Sequence, residues 1–255
     1  MRGILRMIPA SYGGSYNPLT TAWITATGES DVTILNALNT FEAGLTTYDL
    51  LGNMKRIYPF VGGSSIKHSY NFLDTSVGQK TDYGGVTNDG NGKTFNGTSG
   101  YSDSNSIGND LFPDYNSISF GFYSRTNVQG VMGDIGTSGG DDDLNIYSWV
   151  LGGSYFRTAN AGGQTVAQTT SLGFFVANRI SSTEIRCLAN GNIVSQLINK
   201  TTVSSNRTML LGVSWGNYSS RNYSFEFYGT GITDAKLLNL NTLVQDLQIA
   251  LSRQV

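Results

Sequence analysis

Residues 54–72 read MKRIYPFVGGSSIKHSYNF, and within them the hydrophobic pattern changes from a helical period to a strand period. Pro59 restricts the residue before it to extended conformations, so the upstream helical pattern is predicted to end at Tyr58. Downstream, SIKHSYNF alternates between apolar and polar residues, which predicts a strand carrying His68, the single histidine of the chain. The stretch is therefore interpreted as the joint between a helical segment and a β domain, with His68 hydrogen-bonded at the core margin.

The strand period continues through residues 61–232. In NSISFGFYS, Phe120 and Phe122 alternate with less apolar residues, and in STEIRCLANGNIVSQ two strand patterns flank Asn190-Gly191, a dipeptide suited to a tight hairpin turn. Many short strands with few helices between them favour antiparallel sheets packed face to face. We therefore predict a mainly β protein, a two-sheet antiparallel jelly-roll sandwich of the concanavalin A-like type over residues 61–232.

An irregular segment and then a helical segment precede the predicted sandwich. Residues 1–28 carry turn formers without periodicity and are predicted to be an irregular N-terminal arm. Residues 29–60 are predicted to be a helical segment packed on the sandwich, with Ser30 or Asp31 as its N-cap and a second short helix reaching Met54. Its apolar face is formed at helical spacing by Ile34, Leu38, Phe41 and Leu45.

A C-terminal amphipathic helix is predicted over residues 233–255, with Thr233 as its N-cap. Its apolar side chains step by three and four residues, at Leu237, Leu240, Val244, Leu247 and Leu251. This spacing suits a helix packed on its own domain, which is the favoured interpretation. It also suits a coiled-coil seam, so a helix shared between subunits is the alternative.

Charge, cysteine count and the lengths of apolar runs argue against several classes of protein. Charged residues make up 13% of the chain and the net charge is −2, so a basic surface for nucleic acid is not predicted. One cysteine, Cys187, excludes an intrachain disulfide. The N-terminal MRGILRMIPASYGG has no apolar run long enough for a secretory signal, and no run approaches membrane-spanning length.

Catalytic patterns are not evident in the sequence. A Ser–His or Cys–His pair has no support, because no G-x-S-x-G elbow occurs and Cys187 lies in a predicted strand. Glu184 and Glu226 occur singly, and the side chains of the consecutive residues 141–143 (Asp-Asp-Asp) alternate in direction, so paired carboxylates of the glycosidase kind are not predicted. We predict no enzymatic activity, no cofactor and no metal.

Two features of the sequence suggest binding sites. TNDGNGKTF (87–95) resembles part of a calcium loop. With Asp89 counted as position one, however, position twelve, where such a loop needs a Glu, is Gly100. A turn is therefore the favoured interpretation, and a looser calcium site is the alternative. Loop aromatics give the remaining candidates, because flat rings flanked by Asn, Asp and Gly suit sugars. The predicted glycan contacts are Tyr101, Trp149 and Trp215, with core or interface packing as the alternative.

Several segments together resemble a known family. They are AWITATGESDVTILNALNTFEAGL, MKRIYPFVGG, KHSYNF, TFNGTSGYSDS, SISFGFYSRTN, EIRCLANG and the ending GITDAKLLNLNTLVQDLQIALSRQV. Over residues 22–255 the chain resembles bacteriophage virion proteins that carry a concanavalin A-like, or laminin G-like, jelly-roll domain. The resemblance brings no catalytic residues.

This resemblance implies a structural component of a virion, such as a capsid decoration, a fibre or a tail part. Implied partners are other virion proteins, reached through the N-terminal arm, further copies of the chain, and host surface glycans; neither nucleic acid nor a membrane is expected. A carbohydrate-binding module for host attachment is the alternative function. A glycan hydrolase is a distant third.

Overall fold

The computed structural model describes residues 15–137, 144–150, 152–158, 163–197 and 205–255. The described helices are α1 (Pro18–Thr27), α2 (Val32–Thr47), α3 (Ser65–Ser69), α4 (Gly108–Leu111) and α5 (Asp234–Ala250), with a 3-10 turn at Leu51–Asn53. The described strands are β1 (Met54–Tyr58), β2 (Thr81–Tyr83), β3 (Val86–Asp89), β4 (Gly92–Phe95), β5 (Tyr101–Ile107), β6 (Ile118–Ser124), β7 (Ile135–Thr137), β8 (Leu144–Val150), β9 (Gly153–Thr158), β10 (Gly163–Ala167), β11 (Gly173–Ser181), β12 (Glu184–Ala189), β13 (Asn192–Leu197), β14 (Thr208–Leu211), β15 (Val213–Ser214), β16 (Asn217–Tyr218) and β17 (Asn222–Gly229). None of these helices has the length and apolar character needed to cross a membrane.

Two large antiparallel sheets form a sandwich, which confirms the predicted fold class. The first sheet has the strand order β13-β12-β11-β6-β17-β4-β3, with β1 also paired to β17. The second sheet has the order β10-β9-β8-β7-β14-β5-β2. Strands distant in sequence are neighbours in both sheets, as when β17 lies between β6 and β4. Strands β15 and β16 form a separate small hairpin.

An aromatic core fills the space between the sheets. Phe120 and Phe122 of the first sheet point inward, on one face as their alternation indicates, and Phe122 stacks on Phe175 with ring centroids 5.6 Å apart. The second sheet contributes Ile146 and Phe156 to the same cluster. Because apolar burial yields about 25 cal/mol per Å², rings of this size supply much of the stability of the sandwich.

A helical layer covers the outer face of the first sheet. Phe225 and Phe227 of β17 face α2 and α5, while Tyr223 faces the core, because a bulge between Tyr223 and Phe225 shifts the register against β6. The α5 side chains Leu240, Val244 and Leu247 are buried in this layer together with Leu38, Phe41 and Leu45 of α2. The prediction that the C-terminal helix packs within its own chain is confirmed.

Helix α1 replaces much of the predicted irregular arm. Pro18 opens this helix, and the N–H groups of Leu19 and Thr20 donate to the carboxylate of Glu42 in α2 at 2.9 and 2.8 Å. Trp23 of α1 is buried in the helical layer. The prediction of an irregular segment is wrong for residues 18–27, because the groups that satisfy the first turn come from another helix. Residues 1–14 lie outside the described residues.

The joint at residues 54–72 also differs from its prediction. Met54–Tyr58 forms strand β1 rather than the end of a second helix, since it pairs with β17 and extends the first sheet. Ser65–Ser69 forms α3 rather than a strand, because Ser64 caps it by accepting a hydrogen bond from the Lys67 N–H. The sandwich therefore begins at residue 54 rather than at 61.

The predicted environment of His68 is confirmed even though its strand is not. The side chain is 1% exposed, and its Nδ1 lies 2.8 Å from Oδ1 of Asn88. The ring of Phe60 packs against it, with ring centroids 5.8 Å apart. Burial lowers the pKa of His68 to about 4, so the imidazole is neutral at neutral pH.

Candidate functional site

The outer face of the second sheet is open to solvent in the described part of the chain, because the long helices pack on the first sheet. Strand alternation decides which side chains reach this face. In β8, Ile146 points into the core while Tyr147 points outward; in β9, Phe156 points inward while Tyr155 and Arg157 point outward. The face is therefore built by alternate residues of strands whose other side chains hold the sandwich together.

Aromatic, aliphatic and neutral polar side chains, together with one arginine, surround a first depression of about 580 Å³ on this face. Tyr147 and Tyr155 are cross-strand partners whose ring centroids lie 6.2 Å apart, edge to face. The guanidinium carbon of Arg157 lies 5.8 Å from the centroid of the Tyr155 ring. The described residues that line the depression are Val131, Asn145, Tyr147, Val150, Tyr155, Arg157, Thr165 and Trp215.

Trp215 stands at the tip of the hairpin formed by residues 213–218, which we call the Trp215 hairpin. Val213 pairs with Tyr218 and Ser214 with Asn217, so Trp215 and Gly216 form a two-residue turn. Their φ angles are 53° and 72°, the left-handed values of a type I′ turn. A bulky residue rarely adopts this conformation, yet the Trp215 side chain is held there 51% exposed.

A buried charge cluster fixes the base of the Trp215 hairpin. Nη1 of Arg221 donates to Oδ1 of Asp134 at 2.5 Å, and the Tyr223 hydroxyl donates to the same oxygen. Asp134 also accepts a hydrogen bond from the Ser148 N–H at 2.6 Å, and its carbonyl accepts one from the Gly212 N–H at 2.7 Å. Because β8 and β17 meet at the Asp134 carboxylate and the residue before the Trp215 hairpin bonds to the Asp134 carbonyl, the position of Trp215 is coupled to the sandwich.

A second depression of about 310 Å³ lies on the other side of Trp215. The ring of Tyr101 stacks on Tyr83 with centroids 5.0 Å apart and an interplanar angle of 16°. Asp103 follows on the same strand and supplies a carboxylate. The described residues that line this depression are Tyr101, Asp103, Thr208, Leu210, Val213, Trp215, Gly216 and Tyr218.

The predicted aromatic residues fall into two groups. Tyr101 and Trp215 line the same depression. Trp149 is half-buried in β8 and lines neither depression, because a bulge after Tyr147 brings Val150 to this face instead. Sequence reasoning missed Tyr147, although alternation within LNIYSWV would have placed it opposite Ile146.

Glu226, Glu184 and Cys187 belong to strands of the first sheet and lie away from this face. Glu226 is fully buried in an ion pair of 2.8 Å with Lys80, and Glu184 lies 3.0 Å from Arg186. Cys187 is buried in β12, and burial raises the pKa of its thiol. Residues 141–143 lie outside the described residues.

The segment that resembles a calcium loop, residues 87–95, forms two short strands joined by a turn. Gly90 and Asn91 connect β3 to β4, and Oδ1 of Asp89 accepts a hydrogen bond from the Asn91 N–H at 2.8 Å, as expected of a turn. Within the described residues, no group of three or more His, Cys, Asp and Glu side chains is placed to hold a metal ion.

Comparisons with known proteins give similarity in fold only. No protein-family model matches the chain, and no curated protein matches it in sequence. Similar solved structures include domain 4 of an extracellular GH43 arabinanase from Geobacillus stearothermophilus in complex with arabinotriose; the identity is 13%, the TM-score 0.53, and the match covers 74% of this chain and 98% of that domain.

Two other matches involve parts of larger chains. The receptor-binding domain of a botulinum neurotoxin C/D mosaic serotype is 13% identical with a TM-score of 0.54, and the match covers 75% of this chain and 51% of that chain. Trypanosoma rangeli sialidase in complex with sialic acid is 7% identical with a TM-score of 0.53, and the match covers 83% of this chain but only 39% of the sialidase chain. At such identities the likeness shows the sandwich fold alone.

Proposed function

We propose that the chain is a non-enzymatic carbohydrate-binding domain and that the outer face of the second sheet is its binding surface. The observation that carries this proposal is the Trp215 hairpin, which holds an exposed indole between two depressions lined with tyrosines. An aromatic ring offers an apolar surface to the C–H face of a sugar. Neighbouring amide and hydroxyl groups, such as Asn145 and Thr165, then orient the sugar hydroxyls.

Charge favours a sugar over a nucleic acid on this surface. Aromatic platforms also bind single-stranded nucleic acids, but those sites add a strongly cationic groove that follows the phosphates. Arg157 is the one cationic side chain among the described residues that line the two depressions, and the chain as a whole has a net charge of −2. The polar groups present suit neutral hydroxyls better than a polyanion.

Binding is also favoured over hydrolysis. Glycoside hydrolysis generally uses two carboxyl groups that flank the scissile bond. Among the described lining residues, Asp103 alone carries a carboxylate. Glu226 is already paired with Lys80 inside the core.

We further propose that the domain is part of a bacteriophage particle, where it presents this surface to host glycans. The support is the sequence resemblance over residues 22–255 and the fold that it implies. Other virion proteins are the proposed partners of the N-terminal residues, and host attachment is the proposed purpose of glycan binding. The solved arabinanase domain that shares the fold was crystallised with arabinotriose, which is consistent with a sugar ligand.

The substitution Trp215→Asn tests the binding surface. Asparagine favours the left-handed turn conformation, so the variant removes the indole while keeping the hairpin. On an array of bacterial capsular polysaccharides and lipopolysaccharides, we expect the full chain to bind and the variant to lose about tenfold or more in affinity, the loss typical of an aromatic hot spot.

The matched control is Tyr48→Ala, which removes another exposed aromatic side chain at the end of α2. It should leave both binding and folding unchanged. Absence of binding by the wild-type chain, or full binding by the folded Trp215→Asn variant, would refute the proposal. Release of reducing ends from a bound polysaccharide would instead indicate a hydrolase.

A further inference from the structure

Building on the proposed function, we infer that the two depressions are neighbouring subsites for one glycan chain. The ligand class is then an extended oligosaccharide or polysaccharide segment, not a single terminal sugar. The central observation is that Trp215 lines both depressions. A sugar bound in either depression therefore meets the same indole.

Strand register places further rings on both sides of Trp215. Tyr155 pairs with Tyr147 across β9 and β8, and Tyr101 pairs with Tyr83 across β5 and β2. The two pairs and Trp215 form what we call the aromatic strip. Between the pairs, the backbones of Asp134 and Gly212 are hydrogen-bonded, and there the chain leaves the sheet to form the Trp215 hairpin.

The length of the aromatic strip exceeds what one sugar ring needs. From β9 to β2 the second sheet takes five strand-to-strand steps, or about 24 Å at the usual spacing. The strip runs across the strands and reaches β2, an edge strand, where Tyr83 is 44% exposed. A chain lying along the strip can therefore continue past the edge of the sheet.

The second subsite also specifies the kind of sugar. Asp103 accepts a hydrogen bond from the Asn105 N–H at 2.7 Å, and its carboxylate also lines the depression. A carboxylate accepts hydrogen bonds from sugar hydroxyls and repels an acidic sugar. The sugar unit beside Tyr101 and Asp103 is therefore neutral and carries free hydroxyls.

The test uses size-graded fragments, from monosaccharide to octasaccharide, of the polysaccharide that the array identifies. Affinity measured by calorimetry on the full chain should rise about tenfold or more between the shortest binding fragment and fragments that span both subsites. In Tyr101→Ala this gain should disappear, so that long fragments bind no more tightly than the shortest one. In Trp215→Asn the affinity should fall for short and long fragments alike.

The outcomes separate this inference from the proposed function. If a monosaccharide binds as tightly as the longest fragment, or if Tyr101→Ala leaves the affinity for long fragments unchanged, the two-subsite inference is overturned while glycan binding stands. If no polysaccharide binds, the proposed function fails and the inference fails with it. Circular dichroism of each variant ensures that a loss of binding is not a loss of folding.

Discussion

At the scale of single residues, Asn190 and Trp215 hold equivalent positions in two hairpin turns. Their φ angles are 50° and 53°, and each is followed by a glycine with positive φ. The Asn190 turn was predictable, because an Asn-Gly pair favours this conformation by its own chemistry. The Trp215 turn was not, since tryptophan gives no such local signal and tertiary contacts at the base of the hairpin impose the geometry.

Burial of His68 predicts a pH dependence of stability. Its pKa is about 4 in the folded chain and about 6.5 when unfolded, so the unfolded state binds more protons between these values. Stability contributed by the neutral imidazole is complete above pH 6.5 and is lost as the pH falls toward 4, by at most about 3 kcal/mol.

Urea denaturation from pH 7 to pH 4 measures this loss, with His68→Gln as the reference. The amide side chain does not titrate, so the free energy of unfolding of the variant should fall less steeply over this window. Parallel curves for the two proteins would show that His68 does not carry the effect.

At the scale of secondary-structure elements, those whose caps and apolar spacing lie within their own sequence were predictable. Those that depend on groups from distant parts of the chain were not. Helix α5 carries its own N-cap, Thr233, and its own apolar spacing; it begins where predicted but ends at Ala250, five residues before the predicted end at residue 255. Helix α1 depends on Glu42 for its first turn, so its sequence alone read as irregular. Similarly, alternation within LNIYSWV separates two faces but does not indicate that the face with Tyr147, a side chain 9% exposed, would line a surface depression.

Helix α5 predicts a contrast between two of its leucines. Leu247 is buried against the helical layer, so Leu247→Ala should lower the free energy of unfolding by about 2–5 kcal/mol, the range for buried leucines. Leu238 is 43% exposed on the same helix, and Leu238→Ala should change stability by less than about 0.5 kcal/mol.

Chemical denaturation and size-exclusion chromatography of both variants check this contrast. If Leu247→Ala leaves the stability of the monomer unchanged and instead prevents oligomer formation, the helix acts between subunits and the packing within the chain is not its main role.

At the scale of the whole molecule, the sandwich has one outer face covered by helices and one left open in the described part of the chain. The sequence predicted the sandwich and the terminal helix. It could not predict which sheet the helices would cover, because strand neighbours such as β17 and β6 are distant along the chain. The sequence indicated Tyr101 and Trp215 as candidates. That they line one depression, together with Leu210 and Val213, depends on the same long-range strand pairing and could not be predicted.

Two N-terminal deletions distinguish attachment from folding. Removing residues 1–14 keeps α1 and the buried Trp23 in the chain, so we expect the shortened chain to keep its melting temperature and its β-dominated circular dichroism. If these residues attach the domain to other virion proteins, mass spectrometry of purified particles should no longer detect it. Normal incorporation of this truncated chain would contradict that role.

Removing residues 1–28 should instead destabilise the fold. The deletion removes Trp23 from the helical layer. It also removes the α1 hydrogen-bond donors that offset the cost of burying the Glu42 carboxylate. The expected cost is about 3–5 kcal/mol, as for a large core truncation. An unchanged melting temperature would show that α1 adds little to the stability of the sandwich.

The seclusion of Cys187 makes the native chain suitable for site-specific labelling. Its thiol is buried within β12, and burial raises its pKa, so little reactive thiolate is offered to a maleimide. A cysteine introduced as Thr81→Cys on the exposed edge strand β2 would then be the one accessible thiol, without removal of the native residue. A fluorophore attached there lies opposite Asp103 and would change its emission as a polysaccharide fills the neighbouring subsite.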